Sequence, residues 1–177
     1  MGNIKTIQGD ITTQKVDAIV NAANEQLMRG GGVCGAIFAA AGAEKLQKAC
    51  DAIGHCATGD AVITEGFNLP ASYIIHTVGP VWHGGKSGEE DKLRSCYIRS
   101  LEVAETNGLK TVAFPSISTG IFGYPTEKAA QTAVKAVKEY LKDKDMNVLW
   151  VLFDEETKKI YDRVLGEEKE EEHWKKH

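Results

Sequence analysis

The sequence predicts an α/β fold: a three-layer α/β/α sandwich built on a central mixed sheet. Three observations lead there. Short runs of β-branched and aromatic residues alternate with segments of helical period along the chain. Several of those runs are apolar nearly throughout, the pattern of strands covered on both faces. And 177 residues, 42% hydrophobic and 26% charged, suit one domain with a well-buried core.

The elements follow in order. "IKTIQ" (4–8) and "DAIVN" (17–21) read as the first strands, bounded by turn residues. The run 35–50, "GAIFAAAGAEKLQKAC", is alanine-rich and reads as a helix with one internal glycine. "AVITE" (61–65) and "YIIHTV" (73–78) are the next strands. Leu93, Cys96, Tyr97, Leu101 and Ala104 form one apolar helical stripe, ended by Asn107-Gly108. "TVAFP" (111–115) precedes a second stripe of Ala130, Ala133, Val134, Val137 and Leu141. "VLWVLF" (148–153) is the last strand, and Ile160, Tyr161, Val164 and Leu165 mark a last helix. One domain is expected over 1–165, with a charged C-terminal tail at 166–177, "GEEKEEEHWKKH".

Composition narrows the function classes. No apolar run approaches the ~18 residues that cross a bilayer, and no signal-peptide stretch opens the chain, so no membrane partner is expected. The net charge of −4 argues against general nucleic-acid binding. Cys34, Cys50, Cys56 and Cys96 lack framework spacing and read as reduced thiols of a cytoplasmic protein. Cys56 adjoins His55, but no further ligands stand at metal spacing, so no metal and no cofactor is expected.

Residues 29–37, "RGGGVCGAI", fit G-x-G-x-x-G through Gly30, Gly32 and Gly35. A dinucleotide-binding turn needs the glycines directly after a strand. Here the strand ends near Asn21, nine residues before Gly30, which counts against a nicotinamide-dependent oxidoreductase. Gly85-Lys86-Ser87 could end a P-loop, but Pro80 stands where its first glycine belongs. What survives is a glycine run entering a helix, able to pass close to a ligand and aim N–H groups at an anion. A second such segment, "PSISTGIFGYP" (115–125), follows the fifth strand. Two such loops at the carboxyl edge of one sheet can grip a diphosphate from both sides. "GDIT" (9–12) and "VNAAN" (20–24) put Asp10, Asn21 and Asn24 at the same edge. Asp10 and Asn24 are assigned to ligand, Asn21 to tying down a loop backbone, and His76 to a structural role at a strand end.

"GDIT", "VDAIVNAAN", "GGGV-GAI", "HTVGP" and "PSISTGIFGYP", in this order and spacing, resemble the macro domain family. The likeness is strongest to its bacterial MacroD-type branch of O-acetyl-ADP-ribose deacetylases and mono-ADP-ribosyl hydrolases, and runs from about Ile4 to Leu165. The resemblance implies binding of ADP-ribose or O-acetyl-ADP-ribose, with mono-ADP-ribosylated proteins as partners. It implies that Asp10 bonds the adenine amino group, with the Ile11 N–H nearby and Phe153 packed on the ring. It further implies that Ser118, Thr119, Gly120, Ile121 and Phe122 donate N–H groups to the diphosphate, opposite Gly31, Gly32 and Val33. Asn24 and Phe122 would then flank the distal ribose, with water as the attacking group and no metal.

One position departs from the branch, where an aspartate follows "GGGV" and is thought to activate or orient the water. Here it is Cys34. A free thiol of pKa ~8.5 is mostly neutral at pH 7 and a poor substitute for a carboxylate base. With no histidine or other base evident beside it in sequence, Cys34 is not assigned as a nucleophile. Two readings stand: a hydrolase acting through Asn24 and a water oriented by the ligand's own phosphate, and a weakly catalytic or non-catalytic reader of ADP-ribose.

Overall fold

The computed structural model describes residues 2–175, with side chains through residue 167. The chain runs β1 (Ile4–Gln8), β2 (Ala18–Ala22), α1 (Gly32–Ala41), α2 (Ala43–Ile53), β3 (Ala61–Glu65) and β4 (Tyr73–Thr77). It continues with α3 (Glu89–Thr106), β5 (Thr111–Phe114), α4 (Thr126–Leu141), β6 (Asn147–Leu152) and α5 (Glu155–Lys175). The strands form one sheet in the order β1-β6-β5-β2-β4-β3. Every neighbouring pair is parallel except β3 with β4, so the sheet is mixed, as expected.

Successive strand side chains point to opposite faces, and the core divides accordingly. Ala18, Val20, Ile75, Val112, Phe114, Val148, Trp150 and Leu152 pack on one face with α3, α4 and α5. Ile19, Ile74, Ala113 and Val151 pack on the other with α1 and α2. That is the three-layer sandwich. Tyr97, Phe114, Trp150 and Tyr161 form an aromatic ladder through the first face, with ring centroids 4.8 to 6.1 Å apart. Offset, tilted rings at this spacing add to the hydrophobic burial.

One expectation is corrected. The helix read over 35–50 is two helices, broken at Gly42, whose φ of +105° lies outside the helical region. Gly42 N–H closes α1 on the Phe38 carbonyl, and its own carbonyl opens α2 by accepting from Leu46. A side chain would be strained at this turn, which is why a glycine sits there. The charged segment from 166 is helical as far as Lys175, continuous with α5, and the last two residues lie outside the described ones.

Candidate functional site

The five parallel strands send their carboxyl ends to one edge, where open α/β sheets bind ligands. From one side to the other, the segments leaving that edge are 9–14 after β1, Phe153 after β6, 115–125 after β5 and 23–31 after β2, then 78–88 after β4. The predicted site residues therefore lie in a row along the sheet.

At the β1 end, Asp10 caps a single 3-10 turn (Ile11–Thr13). Its Oδ1 accepts from Thr12 N–H at 2.9 Å and from the Thr12 hydroxyl at 2.7 Å. Oδ2 meets no protein donor among the described residues and remains able to accept. Ile11 anchors the turn in the core at 4% exposure. On the neighbouring strand, Gly9 N–H bonds the Leu152 carbonyl at 3.0 Å, which brings Phe153 beside Asp10. The Phe153 ring is 90% exposed. An aromatic face and a carboxylate oxygen thus stand together in water.

In the middle, the 115–125 loop is braced from below. Ser116 Oγ meets Tyr161 OH at 2.9 Å and accepts from the Thr119 hydroxyl at 2.8 Å. Ser118 adopts φ +67°, and its buried Oγ has no partner. Tyr124 N–H closes on the Ser118 carbonyl at 2.9 Å and Gly123 N–H on that of Gly120 at 3.0 Å. Among the described residues, none of the N–H groups from Ser118 through Phe122 reaches a protein acceptor. Five consecutive peptide donors without a protein acceptor are free to bond an anion. Ile121 points its side chain outward at 99% exposure, so it contributes only its backbone. Phe122 is half-buried.

The segment after β4 holds this loop from the side. Trp82 N–H donates to the Phe122 carbonyl at 2.8 Å, and the Trp82 ring lies 4.6 Å from that of Tyr124. Lys128 Nζ stands 5.5 Å over the Trp82 ring. Glu89, buried at 2% exposure, accepts N–H bonds from His83 (2.9 Å), Gly85 (2.9 Å) and Ser87 (2.6 Å). The His83 N–H, joined by those of Gly85 and Ser87, holds the Glu89 carboxyl down at about 2. Sequence reasoning missed Glu89 and Trp82. A glutamate directly after a glycine-rich loop, "HGGKSGE", is the signal that could have pointed to the first.

At the β2 end, Asn21 is buried, and Asn24 is half-buried in the segment leaving the strand. Asn21 does not tie down backbone, however: its Nδ2 lies 3.0 Å from His76 Nδ1 and 3.7 Å from Cys34 Sγ. His76 Nε2 in turn meets Thr64 Oγ1 at 2.9 Å and Cys50 Sγ at 4.0 Å. His76 is thus structural, inside β4, and burial pushes its pKa down to about 4, keeping the ring neutral. Asn24 clamps its own loop: Nδ2 donates to the Met28 carbonyl and Oδ1 accepts from Met28 N–H, both at 2.9 Å.

The glycine wall leads straight into α1, with Gly31 at the cap and Gly32, Val33 and Cys34 in the first turn. Their N–H groups are among the four that a helix start leaves unpaired. A Cβ on Gly35 would lie 2.5 Å from the Gly30 carbonyl oxygen. Gly35 therefore lets the helix press against the loop, and the G-x-G-x-x-G spacing reflects that packing. The Cys34 side chain turns inward at 7% exposure, its Sγ 3.7 Å from Asn21 Nδ2 and 3.9 Å from the Met28 carbonyl. Both neighbours are uncharged. Among the described residues no three His, Cys, Asp or Glu side chains gather to hold a metal ion, and no helix is long and apolar enough to cross a membrane.

Fold and site together define an α/β domain whose candidate site residues lie along the carboxyl ends of its parallel strands. The chain belongs to the Macro domain family, whose description matches residues 20–133. It is 48% identical over 174 residues to a protein of Escherichia fergusonii named O-acetyl-ADP-ribose deacetylase, covering 95% of this chain and 98% of that one. Its structure is similar to that of the Oceanobacillus iheyensis macrodomain with ADP, at 42% identity, TM-score 0.90, and 94% and 91% coverage of the two chains. It is also similar to the Trypanosoma brucei macrodomain in complex with ADP-ribose, at 38% identity, TM-score 0.83, and 91% and 68% coverage.

Proposed function

We propose that this chain binds ADP-ribose along the sheet edge and hydrolyses its esters. These are O-acetyl-ADP-ribose and mono-ADP-ribosyl groups on acidic side chains of proteins. The observation that carries the proposal is the run of acceptor-free N–H groups from Ser118 to Phe122, flanked by Asp10 with Phe153 on one side and Asn24 on the other. That row has the order of adenosine, diphosphate and distal ribose. The reading is supported by the family and by relatives with ADP or ADP-ribose bound.

In this arrangement Asp10 Oδ2 accepts from the adenine amino group, the Ile11 N–H lies nearby, and Phe153 covers the ring. The 118–122 peptides take the diphosphate, and Gly31, Gly32 and Val33 close over it from the α1 side. Phe122 lies along the distal ribose and Asn24 holds it. Peptide donors pre-set by the loop cost nothing to reorganise, which is how a chain of net charge −4 holds an anion. The catalytic step is attack of water either on the ester carbonyl carbon, with the ribose alcohol leaving, or on the anomeric carbon, with the carboxylate leaving. Asn24 and the ligand's own phosphate orient that water. The four free cysteines fit a reducing cytoplasm.

A specific observation favours the weaker, reader-like alternative. Cys34 stands where the branch has its aspartate, and its thiol faces the Asn21 amide and the Met28 carbonyl. Neither neighbour is a carboxylate or another base. Loss of a general base lowers rates by ~10²–10⁴-fold, so Cys34→Asp is expected to raise single-turnover release by a factor in that range. Calorimetry with ADP-ribose tests the shared premise: no binding at high micromolar ligand removes both readings. Release of ADP-ribose by the parent chain, strongly slowed in Asn24→Ala, supports the hydrolase. Tight binding with no release by the parent leaves the reader.

A further inference from the structure

We propose that Gln47, on α2 and outside the cleft, is a positioning residue that fixes the Asn24 amide. The inference rests on the assignment of Asn24 to the distal ribose and adds the residue that holds it there.

The turn between Asn24 and the glycine wall is short and strained. Leu27 is not a glycine, yet it adopts φ 55° and is buried at 2% exposure. Its N–H closes on the Asn24 carbonyl at 3.0 Å. Such a conformation persists only where surrounding bonds over-determine it. Here two side-chain amides do so from opposite sides. Asn24 takes both polar groups of Met28, as described above. Gln47 takes the flanking pair: its Nε2 donates to the Leu27 carbonyl at 3.1 Å, and its Oε1 accepts from Arg29 N–H at 2.9 Å.

Asp51, one helical turn further along α2, accepts from Gln47 Nε2 at 2.9 Å. A carboxylate only accepts, so this contact decides which end of the Gln47 amide is nitrogen. α2 is itself a firm base, since Leu46 and Cys50 on either side of Gln47 are fully buried. Leu27 O, Met28 N, Met28 O and Arg29 N are therefore all bonded by two amides. Removing Gln47 frees the outer pair. The Met28 peptide can then swing, and the Asn24 amide swings with it. Asn24 Nδ2 gives one hydrogen to Met28, so its second hydrogen has a fixed direction only while the turn is pinned.

The experiment uses the full chain with Gln47→Ala, Gln47→Glu, Asn24→Ala and the Asn24→Ala/Gln47→Ala pair. Gln47→Glu keeps the size and helical setting of the residue but loses the donor to Leu27, so it reports if the alanine variant fails to fold. In the unliganded chain, the Asn24 side-chain amide protons are expected to exchange at least about 10-fold faster in both Gln47 variants, and the Arg29 N–H in Gln47→Ala, since a glutamate still accepts from it. In single turnover, Gln47→Ala is expected to slow release about 10-fold while ADP-ribose affinity moves less than about 3-fold. In the Asn24→Ala background the same change is expected to add nothing. Unchanged exchange of the Asn24 amide overturns the proposal. So does an equal loss of rate with and without Asn24. The exchange readout needs no ligand, so a chain that failed to bind ADP-ribose would remove the proposed function and leave exchange to decide on Gln47.

Discussion

Lowering the pH from 7 to 5 is expected to cost the fold about 2 kcal/mol through His76 alone. The ring is 1% exposed inside β4, between Asn21 Nδ2 and Thr64 Oγ1. Asn21 donates to Nδ1, so the neutral ring carries its hydrogen on Nε2, toward Thr64. Protonation would set two N–H groups against each other. Burial lowers the pKa from 6.5 to about 4. Between those values the unfolded chain binds the proton and the folded chain does not, so stability falls as pH falls through the window. The difference approaches a ceiling of ~3 kcal/mol below pH 4. Carboxylates held low in the fold, such as Glu89 at about 2, weaken it only below their ordinary value of 4.5. The interval from 6.5 to 5 thus belongs to His76. Urea unfolding of the parent chain and His76→Gln at pH 7, 6 and 5 measures it. The variant should start less stable and stay level while the parent declines. Parallel decline of the two would refute the assignment.

Three further changes test the walls of the cleft. Glu89→Gln should speed amide exchange at His83, Gly85 and Ser87 at least about 10-fold and weaken ADP-ribose binding. Because its folded pKa is depressed, the support Glu89 gives is present above pH 4.5 and disappears only as pH falls toward 2. Unaltered exchange at those three amides would count against it. A Cβ on Gly79 would lie 2.1 Å from Ser118 Oγ and 2.7 Å from Ile117 Cγ2. Gly79→Ala should therefore destabilise by about 1–3 kcal/mol, read as a lower urea midpoint. Phe153→Ala should leave the melting temperature unchanged, since the ring is 90% exposed, yet lower affinity for ADP on the order of 10-fold by removing a stacking face. Undiminished affinity by calorimetry would take Phe153 out of the site.

The strands were legible because their patterns are local. The runs at 4–8 and 61–65 match β1 and β3, and the other four strands differ by a residue at one or both ends. The motifs also pointed to one sheet edge, and Asp10, Asn24, the glycine run and the 118–122 loop do leave the strands there. What the sequence hid was how those pieces hold one another. Gly42 reads as one small residue in an alanine-rich helix, because no period reveals that its φ is positive. The inward turn of Cys34 onto Asn21 depends on β2 and α1 meeting across 13 residues of chain. Gln47 is an ordinary polar position on an amphipathic helix until its contacts 18 and 20 residues away are seen. Side-chain bonds to distant backbone leave no periodic trace.

The run of peptide donors at 118–122 also bears on how this cleft can change over time. A lysine or arginine that grips phosphate can be lost in one substitution and is weakened by salt. Backbone N–H groups do not titrate near neutral pH and remain whatever side chain is attached. The side chain of Ile121, which points outward, is free to drift while its N–H stays, whereas Thr119 and Ser118 are tied to the loop's own bracing. Proline alone deletes such a donor outright. Under the proposed function, recognition of the diphosphate would be inherited as a shape of the main chain, and variation would fall on outward side chains and on the ends of the row, where side chains meet the ligand.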